Sequence, residues 1–340
     1  MLPLYRGIYV CGSEPHPGLL FDKFPDAWAD GWHNELESNA KRDFFNVFAQ
    51  CDYGYLATNL NNMVERQEQL ARNLCGPDQK PTLFVKTDWR FVSGLGSGHP
   101  YETGFIWHRT LGVPYLPGSS VKGLMRAWTG DWREEDDRVK YLFGSDPDRE
   151  KEESADTGAL IVFDALPITP PKLELDILNP HYGPYYESNG EKPPADYHNP
   201  VPVFFLTVAS GQAFRFCLAP RPGTGTDSDV KEGLELLKEA LETLGAGGKT
   251  AVGYGTFQLD TKAMEKELPK EERWRCELTR QKPKLLVNQF SKNWGATKKK
   301  YGDDLGRFIE IVRELHGDAI QEWKGSGKQN EQKAYKRIYP

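Results

Sequence analysis

Apolar and polar positions recur at two different periods along this chain, and the change of period marks its elements. The clearest helical pattern lies between residues 229 and 244, where leucine and valine return every three or four residues and so share one helix face. Asp229 stands where an N-cap is expected. The members of this stripe are Val230, Leu234, Leu237, Leu241 and Leu244. The spacing predicts a helix over Asp229–Leu244.

A second helical stripe follows the breaker Pro114–Ser120. Ser119 or Ser120 is expected to cap this helix, and Lys122 and Arg126 lie four residues apart on one of its faces. Thr129-Gly130 is expected to end it. Its apolar stripe consists of Val121, Leu124, Met125 and Trp128.

Short apolar runs typical of strands begin at Pro81 and are separated by glycine and proline. The predicted strands cover 82–86, 88–92, 160–165, 201–209, 213–218 and 251–260. Ser210-Gly211-Gln212 has the composition of a hairpin turn between the fourth and fifth of them. The order of strand, helix, strand, strand pair, helix and strand predicts an α+β chain with a ferredoxin-like fold, the scaffold of RNA-recognition domains.

The remaining segments complete the predicted organisation. Residues 1–80 are expected to be a helical N-terminal region, with helix formers over 42–50 and 64–74. The ferredoxin-like domain then covers 81–261. Residues 168–202 form a long insertion rich in proline, tyrosine and asparagine, a length that is usually functional or disordered in a compact domain. Residues 262–340 form a basic C-terminal extension.

Charge is distributed unevenly over the 340 residues, whose formal net charge is −6. Residues 131–156 hold eleven acids and five bases, whereas 278–302 hold seven bases and no acid. This asymmetry favours one surface for polyanions and another for solvent or a partner, although a solvated basic surface explains the tail equally well.

Other bulk properties exclude several classes of protein. The five cysteines are scattered without a Cys-x-x-Cys pair, which argues against structural zinc or a disulfide framework and fits a reducing cytoplasm. No apolar run approaches the length of a membrane span, and the first residues lack a signal-peptide pattern. We expect no metal and no cofactor.

The glycine-rich stretch Leu244–Phe257 is the first candidate binding site. It fails the P-loop pattern because Thr243 stands where the first glycine is required, and it fails the dinucleotide fingerprint at Thr250. Glycine exposes backbone N–H groups to anions, so polymeric phosphate is the predicted ligand. Tight-turn geometry alone is the alternative, and Tyr254 either stacks a base or fills the core. The predicted contact residues are Gly245, Gly247, Gly248, Lys249, Thr250 and Tyr254.

The second candidate is the start of the 119–128 helix. Free N–H groups and the helix dipole attract an anion there, and Ser119, Ser120, Lys122 and Arg126 are the predicted contacts. A capped amphipathic helix with two solvated bases is the alternative.

Together these motifs resemble the RAMP proteins of CRISPR systems. Pro-Gly-Ser-Ser-x-Lys-Gly-x-x-Arg at 117–126 and the loop ending Gly253-Tyr-Gly255 carry the resemblance. The segments 92–100, 103–116, 163–167 and 176–182 extend it to about Phe91–Leu259 and make the chain similar to the subunit-six family of the type III-B (Cmr) effector. Residues 262–340 lie outside the resemblance.

This resemblance implies a cytoplasmic antiviral RNA-binding subunit without catalytic activity, at one end of a filament of related subunits. The implied partners are guide (CRISPR) RNA, target RNA and other RAMP subunits, with no membrane. Lys122, Arg126 and the Lys249 loop would then face the RNA backbone, where contacts position a strand without reading its sequence.

Two other functions are compatible with the sequence. An endoribonuclease that processes guide precursor would use a histidine as general acid or base. The candidates in loops are His99, His108, His181 and His198, and Asp164 at a strand end is the acid of interest. No histidine has an evident partner by spacing, so loop positions without chemistry are favoured. A protein–protein adaptor is the third possibility.

Overall fold

A computed structural model describes residues 15–24, 38–77, 79–129, 137–145, 156–195, 199–266 and 268–340. The chain divides into two compact units, Met1–Asp260 and Thr261–Pro340, which are considered one at a time. Helices and antiparallel strands occur together in the first unit, which confirms the predicted mixed α+β class. His198, Tyr197, Cys11 and most of the acidic stretch 131–156 lie outside the described residues.

The first unit has seven helices within its described residues. They are α1 (Pro17–Lys23), α2 (Ser38–Gln50), α3 (Ala57–Leu74), α4 (Gly118–Trp128), α5 (Asp137–Phe143), α6 (Gly183–Glu187) and α7 (Asp227–Thr243). The predicted helix at 229–244 is therefore confirmed as α7. Its N-cap is Thr226, and Asp229 accepts from the Thr226 N–H at 2.8 Å as the second half of a capping box.

The strands of the first unit form two sheets. They are β1 (Thr82–Thr87), β2 (Leu160–Val162), β3 (Leu166–Pro167), β4 (Leu173–Leu178), β5 (Val203–Val208), β6 (Ala213–Pro220) and β7 (Phe257–Leu259). The larger sheet has the order β2-β6-β1-β7, with β3 also paired to β6. Every pairing is antiparallel, and Val85 of β1 stands opposite Phe214 of β6 and Leu259 of β7.

Strand β6 is buried on both sides because helices cover both faces of the larger sheet. Leu218 points toward α7, where a Cβ added at Gly233 would meet it at 3.0 Å. The alternate residues Cys217 and Ala219 pack against Ala71 of α3. On this side Arg215, 3% exposed, donates from Nη1 to Oε2 of Glu68 at 2.6 Å. The sheet thus lies between α7 on one face and α3 on the other.

The second sheet pairs β4 with β5 and packs against α2. Strand β4 lies inside the segment 168–202 that was expected to be an insertion, so this part of the segment is a regular strand that the sequence analysis did not predict. Residues 173–177 read Leu-Glu-Leu-Asp-Ile, the period-two alternation of a half-buried strand. The flanking prolines obscured that signal.

The hairpin predicted around Ser210–Gln212 is also wrong. Both strands exist, but β5 pairs with β4 and β6 pairs with β1, so the turn carries the chain from one sheet to the other. The buried Thr87 fixes this crossing, since its hydroxyl donates to the Ala209 carbonyl at 2.9 Å and accepts from the Gln212 N–H at 2.9 Å.

Three predicted strands are shorter or absent. In the predicted strand 88–92, only Phe91 forms a β-bridge, and its partner is Val208. The predicted strand 160–165 ends at Val162. At 251–260 the strand is confined to Phe257–Leu259, because Gly253 and Gly255 take φ values of +92° and +67° that an extended strand cannot contain.

The second unit is helical in each of its described elements. They are α8 (Thr261–Lys266), α9 (Lys270–Arg280), α10 (Pro283–Ser291), α11 (Trp294–Tyr301), α12 (Leu305–Gln321) and α13 (Gln329–Ile338). Its own core is built around Phe290, Phe308, Ile311 and Trp274. Among the described residues of the whole chain, the helices are all too short or too polar to cross a membrane.

Candidate nucleic-acid interface

Two glycine-rich loops and one face of α4 enclose a cleft of about 780 Å³, here called the glycine cleft. Its walls are the loop 93–97, the loop residues 244–248 and Thr250, the α4 residues Ser120, Gly123, Leu124 and Ala127, and Ile106 and Leu116. Both predicted sites therefore contribute to one concavity. Among the described residues its lining contains no charged side chain.

The start of α4 is held by an acid from the connection between β2 and β3. Pro117 is the N-cap without a side-chain hydrogen bond, and the Gly118 N–H donates to Oδ1 of Asp164 at 2.7 Å. The predicted cap by Ser119 or Ser120 is therefore wrong, because both serines lie inside the helix with exposed side chains. A Cβ on Gly118 would lie 2.5 Å from the Val162 carbonyl, so only glycine lets the helix begin this close to β2.

Helix α4 presents three different faces. Val121 and Met125 are buried in the core, and the face with Ser120 and Gly123 lines the cleft. Lys122 and Arg126 lie on a third face, away from the cleft lining. The structure therefore does not bring these two bases into the concavity that holds the glycine loop.

The third face of α4 carries a concentration of positive charge, here called the cationic face and defined by Lys122, Arg126 and Arg221. Burial, with the neighbouring charges of Arg126 and Arg221, lowers the pKa of Lys122. Within the described residues no acid forms an ion pair with Lys122. Arg221 is held by the Gly158 carbonyl, to which its Nε donates at 2.7 Å. Like charges gathered in this way favour a bound anion.

Close backbone packing shapes the 245–255 loop. The Ala246 N–H donates to the Gly255 carbonyl at 2.8 Å, and the Gly248 N–H to the Val92 carbonyl at 2.7 Å. A Cβ on Gly255 would lie 1.9 Å from the Ala246 carbonyl oxygen, and one on Gly247 would lie 2.2 Å from that of Val92. Gly245, buried with φ +71°, makes a similar approach to Gly255. Glycine is required at these positions because a Cβ would collide with the neighbouring main chain.

The same loop retains donors for a ligand. The N–H groups of Gly247, Lys249 and Thr250 meet no acceptor among the described residues, and Thr250 lines the cleft. Successive N–H groups in left-handed turns form concave anion sites. The loop thus combines tight backbone packing with unused backbone donors.

Lys249 takes a left-handed conformation, φ +62° and ψ +29°, which is uncommon for a residue with a side chain. Its Nζ lies 5.9 Å from the ring centroids of both Phe205 and Tyr254, within range of a cation–π contact. The ammonium group is therefore held beside the loop by two aromatic faces.

Tyr254 belongs to a polar network that the sequence did not reveal. Its hydroxyl donates to Oδ2 of Asp176 at 2.5 Å, and Arg90 donates to Asp176 at 2.6 Å and to Glu174 at 3.0 Å. Burial, together with the hydrogen bond to Asp176, raises the pKa of Tyr254 to about 12. Although burial opposes it, hydrogen bonds from Tyr254, the Ile177 N–H and Arg90 lower the pKa of Asp176. Tyr254 thus anchors the loop to β4.

Sequence reasoning missed Arg90, Glu174, Asp176 and Arg221. A usable signal existed for two of them, because the alternation in β4 places Glu174 and Asp176 on the same face of a strand. Two carboxylates on one side require a cation, and Arg90 supplies it. Arg221 follows the end of β6 and carries no sequence signal.

The described histidines have structural contacts. His99 is stacked on Phe21 at 4.3 Å, its Nδ1 accepts from the Tyr101 N–H at 3.1 Å, and its Nε2 lies 2.9 Å from the Phe21 carbonyl. Burial lowers the pKa of His99 and that of His108. His181 is exposed. In the described parts of the chain, no group of three or more His, Cys, Asp or Glu side chains is placed to hold a metal ion.

Comparison with known families identifies the class of protein that these elements define. The sequence profile of the RAMP superfamily matches residues 82–258, slightly more than half of the chain. That segment contains all the walls of the glycine cleft and the cationic face. The chain therefore belongs to the RAMP superfamily.

Individual relatives place it more closely. The chain is 35% identical over 230 residues to "CRISPR system Cmr subunit Cmr6" of Pyrococcus furiosus, covering 50% of this chain and 65% of that protein. It is 29% identical over 162 residues to "CRISPR system CMR subunit Cmr6" of Saccharolobus solfataricus, covering 47% of this chain and 49% of that protein. The chain thus spans less than two thirds of the length of either curated relative.

A solved structure is similar in fold. A chain in the cryo-EM structure of the Type III-B Cmr-beta bound to cognate target RNA matches with a TM-score of 0.50 and 23% identity, covering 67% of this chain and 76% of that one. The likeness at this identity concerns the fold.

Proposed function

We propose that this protein is a non-catalytic RNA-binding subunit of a type III-B CRISPR interference complex in the cytoplasm. Its partners would be guide RNA, target RNA and other RAMP subunits. The observation that carries the proposal is that the glycine cleft and the cationic face both lie inside the segment matched by the RAMP profile. The names of the two curated relatives support the assignment to this complex.

The proposed domain has a ferredoxin-like fold over residues 81–261, preceded by the helical region 1–80 and followed by the basic extension 262–340. The strand order of the larger sheet supports this assignment of the fold. Helix α4 connects β1 to β2 and α7 connects β6 to β7, and β6 and β1 stand between β2 and β7. A split βαβ arrangement has this connectivity.

The two faces of α4 would contact a phosphate backbone in different ways. On the cleft side, the N–H groups of Gly247, Lys249 and Thr250 would donate to phosphate oxygens, with Ser120 opposite. On the other side, Lys122, Arg126 and Arg221 would supply charge. Contacts of both kinds are independent of base identity, as a subunit that accepts any guide requires.

The double variant Lys122→Ala with Arg126→Ala tests the RNA role of the cationic face. We expect weaker binding of single-stranded RNA and a shallower salt dependence, by about 0.7 in the slope of log K against log salt for each phosphate that the variant no longer neutralises. Fluorescence anisotropy across a KCl series measures both. The control is Lys231→Ala with Lys238→Ala on α7, which removes the same charge. Equal affinity and slope in the two variants would contradict the proposed contact.

A protein–protein adaptor is the second candidate, and the uncharged lining of the glycine cleft favours it. A neutral, glycine-walled concavity fits an uncharged peptide segment as well as a phosphate backbone. Ultraviolet crosslinking of the assembled complex separates the two functions. RNA adducts on peptides from 93–97 or 244–250 support the RNA function, whereas adducts confined to other subunits support the adaptor.

A further inference from the structure

The two units carry opposite charge. Residues 1–260 hold 24 bases and 37 acids, a formal charge of −13, whereas residues 261–340 hold 19 bases and 12 acids, a formal charge of +7. The second unit lies outside the segment matched by the RAMP profile.

Acids and bases are segregated within the second unit. Ion pairs are concentrated on α9 and α12 and the turn before α12, where Arg275 pairs with Glu314 at 2.5 Å and Arg307 with Glu271 at 3.0 Å. Lys270 pairs with Asp304, and Lys300 reaches back from α11 to Glu277 at 3.2 Å. The acids of this side are therefore largely neutralised by bases of the same unit.

Helices α10, α11 and α13 instead carry mostly bases, and α10 contacts both of the others. These three helices contain one acid, Glu331, which is paired with Lys328 at 3.0 Å. Besides Lys282 and Lys284 at the start of α10, five lysines on or next to these helices are exposed and form no ion pair with any described residue. They are Lys292, Lys298, Lys299, Lys333 and Lys336, here called the basic surface together with Arg337.

Trp294 organises the centre of this surface. Nζ of Lys298 and Cζ of Arg337 each lie 5.3 Å from its ring centroid. Arg337 also donates from Nη1 to the carbonyls of Phe290 and Ser291 at 2.7 and 2.8 Å, at the end of α10. A helix C-terminus favours a cation at that position. The charges around Trp294 are thus held in place, which lowers the entropy cost when a ligand binds.

We propose that the basic surface binds the phosphate backbone of single-stranded RNA and is a second RNA contact of this protein, separate from the RAMP segment. Fixed cations around an aromatic ring, with further lysines along adjoining helices, form the combination used for sequence-independent binding of single strands. The choice of RNA among polyanions rests on the function proposed for the first unit.

The test uses the full chain and a fluorescein-labelled single-stranded RNA of mixed sequence. The variant Lys292→Gln, Lys299→Gln, Lys336→Gln removes three exposed charges from the basic surface. The matched control, Lys262→Gln, Lys266→Gln, Arg273→Gln, removes three exposed charges from α8 and α9 of the same unit. Circular dichroism verifies that both variants are folded.

For the basic-surface variant we expect the slope of log K against log KCl to become shallower by about 2, because each of the three lost phosphate contacts contributes about 0.7. The slope of the control variant should not change. Identical slopes and affinities for the two variants would overturn the inference. Loss of binding in Lys122→Ala with Arg126→Ala but not in the basic-surface variant retains the proposed function and rejects the second contact. The reverse pattern retains the second contact and rejects the RNA role of the cationic face. A basic-surface variant that keeps RNA affinity but loses a protein of the complex would assign the surface to an acidic protein and so reject RNA.

Discussion

The 245–255 loop and the cationic face of α4 were both expected to contact phosphate, yet different forces build them. The loop is held by main-chain approaches too close for any Cβ, such as that of Gly255 to the Ala246 carbonyl. The cationic face is instead a group of like charges on α4 and after β6 that repel one another, with Arg221 held by the Gly158 carbonyl. Substitutions in the loop should therefore change stability, whereas substitutions on the cationic face should change binding.

Gly255→Ala should produce the largest effect. A Cβ would lie 1.9 Å from the Ala246 carbonyl oxygen, and φ at this residue is +67°. Strain from the left-handed backbone and from overpacking together predict a decrease of about 3 kcal/mol in the free energy of unfolding. Urea denaturation followed by tryptophan fluorescence measures it.

Gly253→Ala is the matched control for that change. Its φ is +92°, but no atom lies within 4 Å of the added Cβ, so only the backbone cost of about 1–2 kcal/mol remains. If both alanines destabilise the protein equally, the close approach at Gly255 is not what shapes the loop.

Asp164→Ala tests the junction that places α4 between the cleft and the cationic face. Removal of the acceptor for the Gly118 N–H should lower the free energy of unfolding by about 1 kcal/mol, as for other N-cap removals. Asp164→Asn keeps an acceptor and should retain most of that stability. An asparagine variant as unstable as the alanine variant would show that the charge of Asp164, and not its hydrogen bond, matters there.

Tyr254→Phe should lower the free energy of unfolding by about 1 kcal/mol, no more than Asp164→Ala, since it removes one hydrogen bond to a partly exposed carboxylate. The folded-state pKa of Asp176 lies below its ordinary value of 3.8, so this contribution is present above that pH and is lost as the pH falls through the folded pKa. Thermal unfolding of wild type and variant should therefore differ at pH 7 and converge in acid. Tyr186→Phe, whose residue is 70% exposed, is the control. A difference that persists at low pH would contradict the role of Asp176.

Local signals predicted much of the fold. The apolar stripe of α7, the breaker before α4 and the short runs of β1, β5 and β6 each sufficed to place an element. Predictions failed where a partner distant in the sequence decides the outcome. The turn at Ser210–Gln212 has hairpin composition, but Thr87, more than a hundred residues earlier, binds it and directs β6 into the other sheet.

The candidate site shows the same division. The sequence identified the glycine loop and the Lys122–Arg126 pair as separate patterns, and its spacing argues against the two nucleotide-binding motifs. It did not reveal that the pair lies on a different face of α4 from the cleft, nor that Arg221 joins it from the end of β6.

The sequence by itself determined the residue types available to each segment, the periodicity of its helices, the charge difference between residues 1–260 and 261–340, and the motifs of the RAMP superfamily. Only the tertiary structure decided which of these groups meet. Asp164 caps α4, Asp176 binds Tyr254 and Arg90, and Lys249 lies against Phe205 because long-range strand pairing brings them within a few ångströms. Helical spacing is a local property that a short window records, whereas such contacts depend on how the whole chain packs.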